Sequence, residues 1–83
     1  MAKVKLTAEA AEGLEDLPLV IHARVLALLE RLEHWPAVSG AKPLTGNLAG
    51  RYRLRTGDYR LQFRVQSLTV IVEKIGHRDR FYE

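Results

Sequence analysis

The stretch that determines the fold spans residues 51–65 and reads Arg51-Tyr-Arg-Leu-Arg-Thr-Gly-Asp-Tyr-Arg-Leu-Gln-Phe-Arg-Val65. On both sides of Thr56-Gly-Asp58, polar and apolar residues alternate strictly, which is the period of a β-strand. A two-residue turn at Gly57-Asp58, with glycine in the first central position, predicts a type II′ hairpin. The stretch therefore predicts two antiparallel strands with arginine at most of the polar positions.

The register of this hairpin predicts that its arginines share one face of the sheet, because side chains alternate between the two faces of a strand. We call this the arginine face, and its members are Arg51, Arg53, Arg55, Arg60, Gln62 and Arg64. The opposite face is predicted to pack on the helices and carries Tyr52, Leu54, Tyr59, Leu61, Phe63 and Val65.

Stability alone gives no reason for this arrangement, since like charges directly opposite each other destabilise a sheet. Acidic residues that could neutralise the face are few, with Asp58 in the turn and Glu73 on the following strand. The concentration of arginine therefore indicates a phosphate-binding surface, above all one that binds nucleic acid. The structural alternative is a solvated face whose arginines lie flat over apolar surface.

Residues 1–50 predict a short strand, two helices and a loop. Residues 4–6 alternate as a strand, and Thr7 is a suitable N-cap for a first helix that ends before Pro18. The second helix shows apolar residues at three- and four-residue intervals up to Leu32. Glycine and proline are frequent in residues 36–50, which is typical of a loop.

Residues 69–75 are mostly apolar and predict a third, central strand that ends at Gly76. The complete order β-α-α-β-β-β predicts an α+β fold in which a helical hairpin packs on one face of a small antiparallel sheet. Residues 1–83 are expected to form one domain.

The composition is that of a globular domain, with 47% hydrophobic and 28% charged residues in 83. The absence of cysteine excludes disulfides, thiolate metal sites and thiol catalysis. The most apolar stretch, residues 17–32, is interrupted by charges and is shorter than the ~20 residues of a membrane span. We therefore expect a cytoplasmic protein with no membrane partner.

The net charge of +3 is unevenly distributed along the chain. Residues 1–37 carry four basic and six acidic side chains, a net charge of −2, whereas residues 38–83 carry nine and four, a net charge of +5. Arginine, which binds phosphate through two parallel hydrogen bonds, outnumbers lysine nine to four. Because the predicted helices are net acidic, a DNA reader that inserts a helix into a groove is disfavoured.

Two motifs resemble the RelE/ParE superfamily of bacterial toxins, and its RelE branch in particular. The first is Leu44-Thr-Gly-Asn-Leu-Ala-Gly-Arg-Tyr-Arg-Leu-Arg-Thr-Gly-Asp-Tyr-Arg-Leu61, and the second is Ile75-Gly-His-Arg-Asp-Arg-Phe-Tyr82. The similarity covers nearly the whole chain. It implies an αα-hairpin on an antiparallel sheet, which agrees with the fold predicted above.

The resemblance implies an mRNA interferase, the toxin of a type II toxin-antitoxin system. Such enzymes enter the ribosomal A site and cleave the bound codon, using the 2′-hydroxyl as nucleophile and neither metal nor cofactor. By position, Arg53 and Arg55 match the paired basic residues of the family, Arg60 its phosphate-binding arginine, Arg78 the arginine after the last strand, and Tyr82 the C-terminal tyrosine. Arg51 and Arg64 are expected to add RNA contacts.

The proton acceptor of this reaction is left open. Arginine stands at positions 53 and 55, where lysine is often found, and a guanidinium does not deprotonate in proteins. Tyr82 and His77 are the candidates, and His77 could equally serve only as a hydrogen-bonding group at a strand end. His22 and His34 lie twelve residues apart, and no carboxylate is arranged with either of them as a second ligand, so no metal site is expected there.

The resemblance also implies the partners, which are mRNA and rRNA on the ribosome and an acidic antitoxin that covers the arginine face. Two alternatives remain. A ParE-like toxin of the same fold would poison DNA gyrase without nuclease chemistry, and an inactive remnant would keep only the binding of its antitoxin. The sequence indicates neither a codon preference nor an oligomeric state.

Overall fold

The computed structural model describes residues 1–81. Its elements confirm the predicted α+β class and add one strand of two residues. In chain order they are β1 (Lys3–Leu6), α1 (Ala8–Glu15), α2 (Leu19–Leu32), β2 (Lys42–Pro43), a 3₁₀ helix (Gly46–Leu48), β3 (Arg51–Thr56), β4 (Tyr59–Gln66) and β5 (Thr69–His77), followed by a C-terminal 3₁₀ helix (Arg78–Arg80). Neither α1 nor α2, the two α-helices of the described residues, is long and apolar enough to cross a membrane.

The five strands form one sheet in the order β1-β5-β4-β3-β2. The sheet is mixed rather than antiparallel throughout, because β1 runs parallel to β5, with Lys3 opposite Thr69 and Leu6 opposite Val72. The two helices connect β1 at one edge of the sheet to β2 at the other. Local sequence could not show this, since the partner of a four-residue strand depends on the whole topology.

The hairpin between β3 and β4 has the predicted register. Arg51 pairs with Arg64, Arg55 with Arg60, and Thr56 with Tyr59 across the turn. Gly57 has a φ of +58°, and Asp58 is not in the left-handed region. A positive φ at the first central position alone is the type II′ geometry, which glycine adopts without strain.

Strand β5 is longer than predicted and contains a bulge. It continues through Gly76 to His77, because Gly76 pairs with Arg60 and His77 with Tyr59. The prediction that Gly76 ends the strand was wrong, since pairing along β4 holds the backbone extended. The register shifts between Gln62 and Phe63, which leaves Glu73 as the extra residue of β5.

The core lies between the sheet and the helices. Leu54, Leu61 and Phe63 of the hairpin are almost completely buried, as are Ala10 of α1 and Leu32 of α2. This confirms the predicted inward face of the hairpin.

Trp35, three residues after the end of α2, lies over the hairpin. Its ring makes edge contacts with Tyr52 and Phe63, at centroid distances of 4.8 and 5.4 Å. Tyr52 and Phe63 also stack on each other at 5.4 Å. Aromatic pairs at these distances stabilise a core beyond the area that they bury. Both Trp35 and Tyr52 are therefore packing residues.

Thr7 connects β1, α1 and β5. Its hydroxyl accepts a hydrogen bond from the backbone N–H of Ala10 at 3.1 Å, which is the predicted N-cap of α1. The same hydroxyl donates to the carbonyl of Glu73 at 3.0 Å, and the Thr7 N–H donates to the carbonyl of Val72 at 3.0 Å. Thr7 thus fixes the start of α1 to the bulge of β5.

We expect Thr7→Ala to lower the free energy of unfolding by about 1–2 kcal/mol, because it removes the cap and the bond to β5. Urea denaturation followed by circular dichroism would measure this. Thr45→Ala is the matched control, since Thr45 precedes a 3₁₀ helix without a side-chain cap bond. The control should change stability by less than about 0.5 kcal/mol. Equal losses in both variants would contradict the role of Thr7.

Candidate nucleic-acid-binding site

The arginine face lies on the side of the sheet opposite the helices. Its predicted membership follows from the observed pairs Arg51–Arg64, Arg53–Gln62 and Arg55–Arg60. Gln62, at its centre, is buried, while Arg55 is exposed and the other arginines are half-buried. The face is therefore a layer of guanidinium groups around one buried amide.

Glu73 neutralises one end of this face. Nε of Arg51 donates to its Oε1 at 2.7 Å, and Nε of Arg64 lies 3.3 Å from its Oε2. Nε2 of Gln62 also donates to Oε1, at 3.4 Å. The bulge of β5 aims the carboxylate at these groups, and only 20% of the Glu73 side chain is exposed. One carboxylate thus pairs with both arginines of the Arg51–Arg64 pair.

The pKa of Glu73 is lowered below its ordinary value of 4.5. Burial by itself would raise the pKa of this carboxyl group. The hydrogen bonds from Arg51 and Gln62, with the positive charges of Arg51 and Arg64, outweigh that effect. Glu73 is accordingly ionised at neutral pH and acts as a fixed negative charge.

This pKa predicts how Glu73 affects stability as the pH changes. A carboxyl group whose pKa is lower in the folded chain stabilises the fold above its unfolded pKa, and this stabilisation is lost as pH falls through the folded pKa. Glu73→Gln should therefore cost about 1 kcal/mol near pH 7 and progressively less below pH 4.5. Urea titrations of both proteins at several pH values would measure the difference. A cost independent of pH would contradict the ion pairing.

The other arginines of the face have no such partner. Within residues 1–81, no carboxylate lies within 4.0 Å of a nitrogen of Arg53, Arg55 or Arg60. Nε of Arg53 is buried and has no hydrogen-bond partner in the described part of the chain. Lys42 of β2 stands opposite Arg53 and adds another positive charge. These groups leave donors and charge available to an anion.

Arg78 lies beside the β3–β4 turn. Its backbone N–H donates to the Asp58 carbonyl at 2.8 Å, which fixes the C-terminal 3₁₀ helix to the turn. Its guanidinium Nε lies 3.8 Å from an oxygen of Asp58 and 3.6 Å from one of Asp79, and 56% of the side chain is exposed. Gly76, opposite Arg60, leaves open space at its Cβ position. The end of the face near Arg60 and Arg78 is therefore accessible.

His77 lies on the other side of the sheet from Arg60. It pairs with Tyr59, and the two rings meet edge to face at a centroid distance of 5.0 Å. Its Nδ1 accepts a hydrogen bond from the backbone N–H of Asp79 at 3.1 Å, so Nε2 is the nitrogen left for other partners. The structure thus brings Arg53, Arg55 and Arg60 together on one face but places His77 behind them.

The remaining predicted site residue, Tyr82, lies outside the described residues. The residue before it, Phe81, is buried, and its ring and carbonyl oxygen both contact the amino group of Lys74. The amino group of Lys74 on β5 is therefore bound by Phe81 and does not add a free positive charge to the arginine face.

Two features of the site were not predicted from the sequence. The sequence shows Glu73 as an acid near the arginines, but its contact with two of them depends on the bulge. The sequence does not indicate the position of Lys42, because the loop composition of residues 36–50 gives no sign of strand β2. The contact of Glu73 with the arginines does have a signal in the sequence, which is a single carboxylate in an apolar strand that follows two arginine-rich strands.

Comparisons with known proteins agree with this fold. Residues 4–82 match the family model of the ParE toxin of the type II toxin-antitoxin system, parDE. Toxin RelG of Mycobacterium tuberculosis is 35% identical over 82 residues, which cover 95% of this chain and 93% of that protein.

Solved structures give the same result. A chain of the toxin-antitoxin complex RelBE2 from Mycobacterium tuberculosis has a TM-score of 0.80 at 32% identity, covering 93% of this chain and 91% of that one. A chain of the RelE-RelB complex from Pyrococcus horikoshii has a TM-score of 0.74 at 28% identity, covering 95% and 97%. With the match to the family model over nearly the whole length, these similarities place the chain in the RelE/ParE family of type II toxin-antitoxin toxins.

Proposed function

We propose that this toxin is a ribosome-dependent endoribonuclease that cleaves mRNA in the A site without a metal ion or cofactor. The observation that carries the proposal is the group formed by Arg53, Arg55 and Arg60. These arginines share an open sheet face and lack a carboxylate partner among residues 1–81. Crowded guanidinium groups without counter-ions destabilise a sheet, and an RNA phosphate would supply the missing negative charge.

The reaction would be an intramolecular transesterification. The 2′-oxygen forms a bond to the adjacent phosphorus, the bond from phosphorus to the 5′-oxygen breaks, one proton leaves the 2′-hydroxyl and one reaches the 5′-oxygen. Charge builds up on the phosphate oxygens, where fixed cations stabilise the transition state. Arg60 and Arg78 would supply this charge, because both lie at the turn end of the sheet.

Proton transfer is proposed for Tyr82 and His77. A tyrosine pKa near 10 is poorly suited to a general base unless neighbouring cations lower it. In His77, Nδ1 accepts from the Asp79 N–H, so the neutral ring carries its proton on Nε2. His77 would therefore have to release the Asp79 N–H before it could take up a proton from the substrate. Because His77 lies on the face opposite Arg60, it could reach a substrate only around the end of strand β5 and not across the arginine face.

RNA binding is proposed for the arginines of β3 and β4. Arg53 and Arg55 have donors free for mRNA or rRNA phosphates, whereas Arg51 and Arg64 already pair with Glu73. We also propose a cognate antitoxin with an acidic segment that covers this face. The complexes of relatives with their antitoxins support such a partner. Toxin and antitoxin would act in the cytoplasm, where ribosomes are.

A second candidate function is inhibition of DNA gyrase. It is favoured by the family model that matches residues 4–82, which describes a ParE toxin. A gyrase inhibitor needs a binding surface but no proton-transfer groups. The open arginines beside Arg78 support the nuclease more strongly, since they provide the charge that a phosphoryl transition state requires.

One experiment separates these functions. The toxin is added to a translation extract, and mRNA ends are mapped at codon resolution by primer extension, while gyrase supercoiling is assayed in parallel. Cleavage that needs translating ribosomes and persists in EDTA-treated toxin is the expected result. Intact mRNA with gyrase-dependent DNA breaks would establish the ParE-like function instead. Neither effect, with antitoxin binding retained, would indicate an inactive remnant.

A further inference from the structure

The arginine face is divided into two electrostatically different parts. At one end, Glu73 lies within 3.3 Å of the Nε atoms of both Arg51 and Arg64. Toward the turn, Arg53, Arg55 and Arg60 have no carboxylate within 4.0 Å in residues 1–81. The five arginines are therefore not equivalent as phosphate ligands.

The position of Glu73 is built into the backbone. It is the extra residue of the β5 bulge, and Thr7 holds this bulge through hydrogen bonds to the carbonyls of Val72 and Glu73. The carboxylate is also bonded by the buried amide of Gln62. Since its side chain is mostly buried and held from several sides, it cannot simply turn away into solvent.

A carboxylate held in this way competes with phosphate. Both anions use the planar fork of the guanidinium, and Glu73 already occupies Nε of Arg51 and faces Nε of Arg64. A phosphate that approached either group would also be repelled by the negative charge of Glu73. The same charge is absent around Arg53, whose buried Nε has no partner among the described residues.

We propose that Glu73 is a specificity-determining residue that confines RNA phosphates to the part of the face formed by Arg53, Arg55 and Arg60. It acts as a permanent counter-ion for Arg51 and Arg64, so that the bound strand follows the turn end of the hairpin beside Arg78. This inference rests on the proposed function, because it assumes that the face binds RNA.

The test is the salt dependence of RNA binding. Fluorescence anisotropy would measure the Kd of a short 2′-O-methylated single-stranded RNA, which cannot be cleaved, at several salt concentrations. For single strands, log K falls with log salt by about 0.7 per neutralised phosphate. Glu73→Gln should steepen the slope by up to about 1.4, since it frees two arginines, and should tighten binding several-fold at low salt.

Glu12→Gln is the matched control, because Glu12 is an exposed residue of α1 on the helical side of the protein. It removes the same charge and should leave the slope as in the wild type. Equal slopes in the two variants would overturn the proposal. Glu73→Asp keeps the charge at the bulge and should restore a slope close to that of the wild type.

A measurement on the unaltered protein makes the test independent of how Glu73→Gln folds. In an NMR titration with the same RNA, the Nε–H signals of Arg53, Arg55 and Arg60 should shift, and those of Arg51 and Arg64 should stay in place. Equal shifts of all five, in a toxin that cleaves mRNA, would overturn this inference alone. Absence of both RNA binding and mRNA cleavage would overturn the proposed function together with it.

Discussion

Replacing Arg60 with alanine is expected to abolish growth arrest on expression and to lower the rate of mRNA cleavage by about 10²–10³-fold. Arg60 lies on the open part of the arginine face, opposite Gly76, whose missing side chain leaves space for a substrate group. No carboxylate among residues 1–81 offsets its charge within 4.0 Å. Its removal therefore takes charge directly from the position where the transition state would need it.

Single-turnover cleavage of mRNA on isolated ribosomes would measure this loss. Arg24→Ala is the matched control, since Arg24 is an exposed arginine of α2 on the helical side. The control should keep its activity within about twofold, because it leaves the arginine face intact. Tyr82→Phe should also relieve growth arrest if the hydroxyl takes part in proton transfer. Full cleavage by Arg60→Ala would refute its proposed role.

Gly13→Ala is expected to have the largest effect on stability. At this position α1 packs against β5 so closely that a Cβ on Gly13 would lie 2.1 Å from the carbonyl oxygen of Ile75. Alanine in a helix is intrinsically better than glycine by about 1 kcal/mol. Overpacking costs about 1–3 kcal/mol and occasionally more, and here the obstacle is backbone that cannot change rotamer. With backbone as the obstacle, we expect this cost to reach or exceed the upper end of the range, which leaves a net loss of about 2 kcal/mol or more after the helical gain.

Urea denaturation would give this loss as a difference in the free energy of unfolding. Gly76→Ala is the matched control, because it adds the same methyl group at a position with no atom within 4 Å. Gly76 also lacks the positive φ that would strain an alanine. The control should stay within about 0.5 kcal/mol of the wild type. A stabilised Gly13→Ala variant would show that α1 can move away from β5 at little cost.

Gly13 also illustrates the limit of sequence analysis for the fold. In the sequence it is only a weak helix residue in an otherwise helical pattern. The reason for it lies in β5, more than sixty residues later in the chain. The mixed sheet has the same origin, since β1 pairs with a strand from the opposite end of the sequence. Local sequence patterns cannot predict either contact, because both join residues that are more than sixty positions apart.

For the site, the alternation of residues 51–65 was sufficient to predict which arginines share a face, and Tyr59 and Phe63 were correctly placed on the other. The side on which His77 lies could not be predicted, because the sequence indicates that the strand ends at Gly76. The observed pairing of His77 with Tyr59 places it on the helical side, and this pairing depends on contacts between strands that are distant in the sequence.

The hairpin, its register and the concentration of positive charge on one face follow from local sequence, because a period of two and a glycine turn within fifteen consecutive residues specify them. The distribution of that charge depends instead on the tertiary structure. The β5 bulge directs Glu73 to Arg51 and Arg64 and leaves Arg53, Arg55 and Arg60 open. A bulge and an ion pair across three strands depend on the packing of the whole sheet, which no local pattern encodes.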